Sequence, residues 1–198
     1  MTDRQGQRNK VKEAFAIIAG LLVILANVSY SIDIVRGRVK PHSYTWFVWS
    51  VVTGIVLAGQ LASGAGVGAL PTALNELFTL TNFVLSLKYG YAKRTTIDTV
   101  FLVIALVGIA IWLATKDATA SVIIAVGIDV AAFMPTLRKA WREPKTEAKM
   151  LYGANVIRHI LSLLSLETYN IATTLHSIAM LATNTIMSAI LLISRKKE

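Results

Sequence analysis

Five ionisable residues fall inside long apolar stretches of this chain: Glu76, Asp129, Arg158, His159 and His176. A charge left unpaired at membrane depth costs roughly 2.5 kcal/mol or more, so such residues pair with one another, face a polar cavity, or carry protons. Glu76 and Arg158 are expected to pair across the bundle, and Asp129 stands 102 residues after Asn27, a second polar position at a matching place. The functional reading of Glu76, Asp129, Arg158 and His176 is a charged-solute site or a proton-coupling carboxylate. The plain alternative is a buried ion pair that fixes helix register, and Arg158 suits either. Asp33, near a helix end, is expected to pair locally with Arg36. His159 and His176 lack ligand spacing with each other or with carboxylates, so no metal is expected.

A second group is the stretch Thr81-Asn82-Phe83-Val84-Leu85-Ser86, which recurs as Thr183-Asn184-Thr185-Ile186-Met187-Ser188 at the same 102-residue offset. Each asparagine amide offers donors and an acceptor that must be satisfied in a bilayer. Related by a repeat axis, Asn82 and Asn184 would converge near the midplane and grip hydroxyls, amides or carboxylates of a solute. Against this stands interhelical packing, in which an amide contributes about 0.6 kcal/mol per hydrogen bond. An in-register repetition favours the site. Among the aromatic residues most suit the interfacial belt, but Trp49 stands opposite Tyr152, where the two rings could stack on a ring-shaped solute. The run Gly64-Ala65-Gly66-Val67-Gly68 before Pro71 lacks the strand and charge of a nucleotide loop. It reads as a tight turn, and no cofactor is expected.

The elements that must hold these residues are helices in lipid. The chain has 198 residues, 55% apolar and 16% charged, and a mean hydropathy of +0.59, more apolar surface than a soluble domain of this size would hide. Seven stretches stand out: Ala14–Ile34, Tyr44–Ala62, Ala69–Tyr89, Thr99–Ala114, Ala118–Leu137, Met150–Leu166 and Tyr169–Ile193. Most approach the roughly 20 residues needed to span a bilayer core. The runs are continuous rather than alternating, which excludes strands. The fold class is therefore an all-α membrane protein of seven transmembrane helices, arranged as two parallel three-helix repeats and a linker helix. Residues 1–13 form a polar tail, 14–97 the first repeat, 98–117 the linker, and 118–198 the second repeat.

Seven crossings divide the basic residues fourteen to five between the two sides, with Arg158 inside a span. Positive loops are retained in the cytoplasm, so the carboxyl terminus is placed there and the amino terminus outside an inner (cell) membrane. The net charge of +9 sits in short loops, including Arg138–Lys149. That favours contact with anionic lipid over nucleic acid. With no cysteine, disulfides and thiol chemistry are excluded.

Three plus one plus three spans, with a basic proline-containing loop after the first helix of each triplet, resemble the PQ-loop and SWEET superfamily of small-solute transporters. The second half carries the closer likeness: Asp129-Val130-Ala131-Ala132-Phe133-Met134-Pro135-Thr136-Leu137-Arg138-Lys139-Ala140-Trp141 is similar to a PQ-loop helix ending, with Pro135-Thr136 where the family has Pro-Gln. The first repeat has Ile32-Asp33 in place of that dipeptide, and the second helix of neither triplet holds the proline of sugar-transporting members. The resemblance implies a midplane site to which the third helix of each triplet supplies an asparagine, here Asn82 and Asn184.

The sequence thus points to a transporter that rocks two triplets about a midplane site. Asn82, Asn184, Trp49 and Tyr152 would bind a small polar solute, Glu76, Asp129, Arg158 and His176 would tune charge or couple protons, and Pro135 would act as a hinge by freeing a backbone carbonyl. A receptor or scaffold using the basic loop is the alternative. No nucleophile-base pair supports an enzyme. A duplicated unit can complete a pathway alone, and a homo-oligomer is equally compatible.

Overall fold

The computed structural model describes residues 2–38, 41, 43–90, 96–115, 117–142 and 149–194, with some side chains inside the helices left out. The described residues form helices and no strands: α1 (Thr2–Val35), α2 (Ser43–Ala62), α3 (Leu70–Tyr89), α4 (Thr96–Thr115), α5 (Ala118–Arg142), α6 (Lys149–Ser165) and α7 (Ile171–Ser194), with a 3-10 turn at Gly66–Ala69.

The helix ends follow from local chemistry. Gly37 and Gly64 take φ values of 70° and 73°. Each is followed by a residue whose N–H reaches back five positions, Arg38 to Asp33 and Ala65 to Gln60, the left-handed closure that glycine permits. Pro71 occupies the first turn of α3, where its missing N–H costs nothing. Asp117 caps α5, its carboxylate accepting from Thr119 and Ala120 at 2.8 and 3.1 Å. Asn170 caps α7 reciprocally: its Oδ1 accepts from the Thr173 N–H while its own N–H donates to Thr173 Oγ1, both at 3.0 Å.

Two expectations change here. The amino-terminal tail is not separate from the first span, because α1 runs without a break from Thr2. Gln, Arg, Lys and Glu are good helix formers that extend the apolar helix outward. At 1.5 Å per residue α1 is about 50 Å long, against a bilayer core of about 30 Å. Similarly, α5 extends to Arg142, so the first part of the expected basic loop Arg138–Lys149 is helical. Lys40, Lys93, Arg94, Lys116, Lys145, Arg195, Lys196 and Lys197 lie outside the described residues.

Seven helices stand where seven apolar stretches were expected, and among the described residues two of them are long and apolar enough to cross a membrane by length and composition: Gln5–Val35 and Ile171–Ile193. Trp46–Ala62 and Ala118–Ala131 are apolar over shorter lengths. Polar side chains lower two of the others: Asn75, Glu76 and Asn82 interrupt α3, and Arg158 and His159 interrupt the 17-residue α6.

Within the bundle α3 packs against both α1 and α2, and α7 against both α5 and α6. The two groups meet through α1 against α6 and α2 against α5, and α4 lies against α5 and α2. Val48, Val52 and Val56 of α2 meet Val122, Ala125 and Val126 of α5 in one apolar cluster. Gly59 permits that approach, since a Cβ there would come within 2.4 Å of the Val122 side chain. Large apolar side chains lie exposed along helices while a number of polar ones are buried beside the apolar core. Ile17, Leu21, Leu25, Val28 and Ile32 form an exposed stripe on α1, and Leu77, Leu80, Val84 and Leu87 another on α3. Gln60, Asn82, His159, Thr173, His176 and Asn184 are buried.

Candidate functional site

Six of the seven helices surround a cavity of about 210 Å³. Its position follows from side chains spaced to share one helix face. Trp46, Trp49 and Thr53 recur at three and four residues on α2, and Tyr152, Asn155 and His159 do the same on α6. His176, Met180 and Asn184 recur every four residues on α7; Asn75 and Thr79 do so on α3, and Asp129 and Phe133 on α5. Asn27 completes the wall from α1.

Two of the ionisable residues meet in a pair that was not foreseen, and neither of the two expected pairs forms. Asp129 Oδ2 lies 3.3 Å from His176 Nε2, joining α5 to α7. Arg158 lines the same cavity, but its Nη2 donates to His159 Nε2 at 2.7 Å, not to a carboxylate. The expected Glu76–Arg158 pair is not formed. Glu76 lies between α2 and α3 in a separate groove with Phe47, Ser50 and Gly54. Gly54 has no side chain to exclude it, and Thr79 Oγ1 donates to its carboxylate at 3.1 Å, so the acid finds a local donor one turn away. Asp33 pairs with Arg38 at 3.2 Å instead of Arg36, because the glycine turn at Gly37 carries residue 38 back beside the helix end. The two histidines contact edge to face, with ring centroids 5.9 Å apart. No group of three or more His, Asp or Glu side chains among the described residues is arranged to hold a metal ion.

The two asparagines part company. Asn184 lines the cavity; its Nδ2 donates to Met180 O at 2.7 Å, and its buried Oδ1 has no partner. Asn82 is fully buried away from the cavity and accepts from Ser31 Oγ at 2.7 Å, tying α3 to α1. Convergence on one solute is therefore corrected: Thr79 and Asn75, one and two turns earlier on α3, face the cavity instead. Trp49 and Tyr152 both line it. Each is braced by another ring, Trp49 by Trp46 at 5.2 Å and Tyr152 by Phe133 at 6.1 Å. Pro135 lies within the unbroken helix α5, and its side chain is outside the described residues.

Sequence reasoning left Thr53, Asn75, Thr79, Phe133 and Asn155 unassigned, and gave Trp46 to the interfacial belt. The signal was present in the shared spacing of Trp46-Trp49-Thr53 and Tyr152-Asn155-His159, and in Asn155 following Thr53 by the same 102 residues.

At one end of the bundle the loops after α2 and α6 interlock. The N–H of Glu167 donates to Ala65 O at 3.1 Å, Asn170 Nδ2 to Ser63 O at 3.3 Å, and the N–H of Val67 to Glu167 Oε1 at 3.4 Å. Beneath them Gln60 Nε2 donates to Thr173 O at 3.3 Å. Lys12, from the projecting part of α1, donates to Leu166 O at 2.6 Å and sits over the Tyr169 ring. Gly68 makes the fit feasible: a Cβ there would meet the Leu166 backbone at 2.7 Å.

No family model matches the chain, and neither a curated protein nor a solved structure matches it.

Proposed function

We propose that this chain is a seven-span membrane transporter of a small polar solute, working by alternating access between the triplets α1–α3 and α5–α7. One observation carries the reading: a polar, partly charged cavity lies between two helix triplets whose outer faces are apolar. An apolar exterior around buried polar groups suits lipid as the surrounding solvent. The packing of α3 on α1 and α2, of α7 on α5 and α6, and of the triplets through α1–α6 and α2–α5 is what two parallel repeats related by an axis through the cavity would produce. It supports the PQ-loop and SWEET-like reading, with α4 as the linker. The interlocked loops at Ser63–Val67 and Leu166–Asn170 would be the closed outer gate of the cycle, with the basic loops on the cytoplasmic side and the carboxyl terminus with them. Asn184, Asn75 and Asn155 would contact solute, Trp49 and Tyr152 would hold it by their faces, and Arg158, Asp129 and His176 would set its charge. The enzyme reading gains no support from this lining, in which no hydroxyl or carboxylate is set up as an activated nucleophile.

The test needs no knowledge of the solute. The chain has no cysteine, so Thr53→Cys and Asn155→Cys place single thiols on opposite walls. In sealed vesicles of known orientation, a transporter exposes each thiol to a membrane-impermeant maleimide from both faces. Labelling from neither face, or from one face alone, would replace transport with a receptor or scaffold role for the same bundle.

A further inference from the structure

We infer that the solute held in this cavity is a small organic anion whose carboxylate is drawn to Arg158 while its uncharged body lies against Trp49 and the amides of the opposite wall. The inference rests on the reading of the cavity as a solute site. Two residues of opposite formal charge line the cavity, Asp129 and Arg158. Asp129 already has a partner in His176, which presents a ring N–H to its carboxylate. Arg158 has no carboxylate within ion-pair distance among the described residues, and Asp129 acts on it only as a nearby charge. Its one side-chain partner is the adjacent His159, and its Nε is buried without an acceptor.

The hydrogen roles at this end are fixed by elementary chemistry. A guanidinium can only donate, so His159 Nε2 accepts and is unprotonated, and the ring proton lies on Nδ1. That nitrogen is also buried without a partner. The α6 wall therefore carries a cation with no carboxylate paired to it, backed by two buried N–H donors that no described acceptor answers. A buried cation that meets only a neutral acceptor is costly. An incoming carboxylate supplies the missing charge and accepts hydrogen bonds of the strong, charge-assisted kind. A cationic solute would instead find Asp129 occupied by His176 and would meet the charge of Arg158.

The remainder of the solute follows from the other wall. Trp49 presents an indole braced edge to face by Trp46, and Asn27, Thr53, Asn75 and Thr79 offer uncharged hydrogen bonds. The volume of about 210 Å³ lies below the roughly 300–1,000 Å³ of pockets that take drug-sized ligands. A hydroxylated or aromatic monocarboxylate fits these limits; a dianion would bring a second negative charge beside Asp129.

Thermal unfolding of the detergent-purified protein tests this with matched probes: 3-hydroxybenzoate, 3-hydroxybenzamide and 3-hydroxybenzylamine, then lactate with lactamide. A ligand that binds only the folded state raises its melting temperature. The carboxylates are expected to bind at least about tenfold more tightly than their amides, equivalent to about 1.4 kcal/mol, and the amine to give no shift. Arg158→Gln is expected to abolish the preference. Arg158→Lys keeps the charge without the planar fork and is expected to retain the preference at lower affinity, so the test survives if Arg158→Gln does not fold. Asp129→Asn removes a like charge and should tighten carboxylate binding. Equal or tighter binding of an amide or amine, a preference that persists in Arg158→Gln, or no shift with any carboxylate would each overturn the inference. The thiol-labelling experiment uses no solute, so the two ideas fail separately. Two-sided labelling without anion preference keeps transport and removes the anion, whereas carboxylate binding with one-sided labelling does the reverse.

Discussion

On the α1–α3 side the cavity presents Asn27, Trp46, Trp49, Thr53, Asn75 and Thr79; on the α5–α7 side it presents Asp129, Tyr152, Asn155, Arg158, His159, His176 and Asn184. The first wall is uncharged and every titratable lining side chain but the tyrosine bears on charge, so the contrast is between an amide-and-indole surface and a network of an acid, a guanidinium and two imidazoles. Some positions correspond at the 102-residue offset, Asn27 with Asp129 and Thr53 with Asn155. Others do not: the residues 102 before Arg158, His159 and His176 are Val56, Leu57 and Leu74. Val56 belongs to the apolar cluster between α2 and α5. The two walls thus match in sequence at some polar positions and differ in chemistry at others, as the proposed site for a solute with one charged and one uncharged end would require.

The comparison breaks most visibly at its central pair. Asp129→Ala would leave His176 and the nearby charge of Arg158 without their carboxylate, at a cost of about 3 kcal/mol or more. Asn27→Ala, at the matching position, removes one donor to Val23 O of its own helix, 2.9 Å away, and should cost about 0.6 kcal/mol. Denaturant unfolding in mild detergent measures both. Equal losses would mean that the two walls contribute alike and that the charge network has no special place.

A smaller effect is expected where the halves are held together. Gly68→Ala drives a methyl group against the Leu166 backbone, which cannot move as a flexible side chain could. Overpacking of this kind costs about 1–3 kcal/mol. If these loops form the gate proposed above, the variant should label faster at Thr53→Cys from the side of Ser63–Val67. Unchanged labelling with lowered stability would make the interlocked loops a structural brace and not a gate.

The asparagine pair sharpens the comparison further. Asn82 links α3 to α1 through Ser31, whereas Asn184 spends its amide on its own helix and leaves Oδ1 unpartnered at the cavity. Asn82→Ala should cost about 1 kcal/mol of stability and leave solute binding unchanged. Asn184→Ala should change stability less and weaken binding. Melting curves with and without 3-hydroxybenzoate separate the two, and the opposite assignment would restore the symmetric site.

That reversal marks how far the sequence could be followed. The helices were legible because apolar runs and glycine, proline, aspartate and asparagine caps act locally; the Asn170-Thr173 cap and the closures at Gly37 and Gly64 are local chemistry. The repeated Thr-Asn-x-x-x-Ser signal was legible too, but the rotation of each helix about its axis was not. Asn82 and Asn184 are both buried, yet Thr81 is exposed while Thr183 is buried, so α3 and α7 present different faces from the same motif. The partners of Glu76 and Arg158 were hidden for a related reason. Each finds a neighbour within four residues, Thr79 and His159, and local bonds of that kind win over a pairing that must be assembled across the bundle.

The finest test lies in the rings of the uncharged wall. Trp46 is 8% exposed and packs on Tyr30 at 5.2 Å, so its role is mainly to brace; Trp49 is half-buried and reaches the cavity. Trp49→Phe keeps an aromatic face but reduces its area and quadrupole, a change within the ~0.5–1.5 kcal/mol that aromatic pairs contribute. It should weaken 3-hydroxybenzoate by a few-fold at most and leave lactate, which has no ring, unaffected. Trp46→Phe should lower the melting temperature of the free protein and weaken both solutes together, because the brace is lost before any solute enters. If Trp49→Phe weakened lactate as much as 3-hydroxybenzoate, the indole would be shaping the cavity and not stacking on its occupant. The uncharged wall would then owe its selectivity to its four amide and hydroxyl side chains alone.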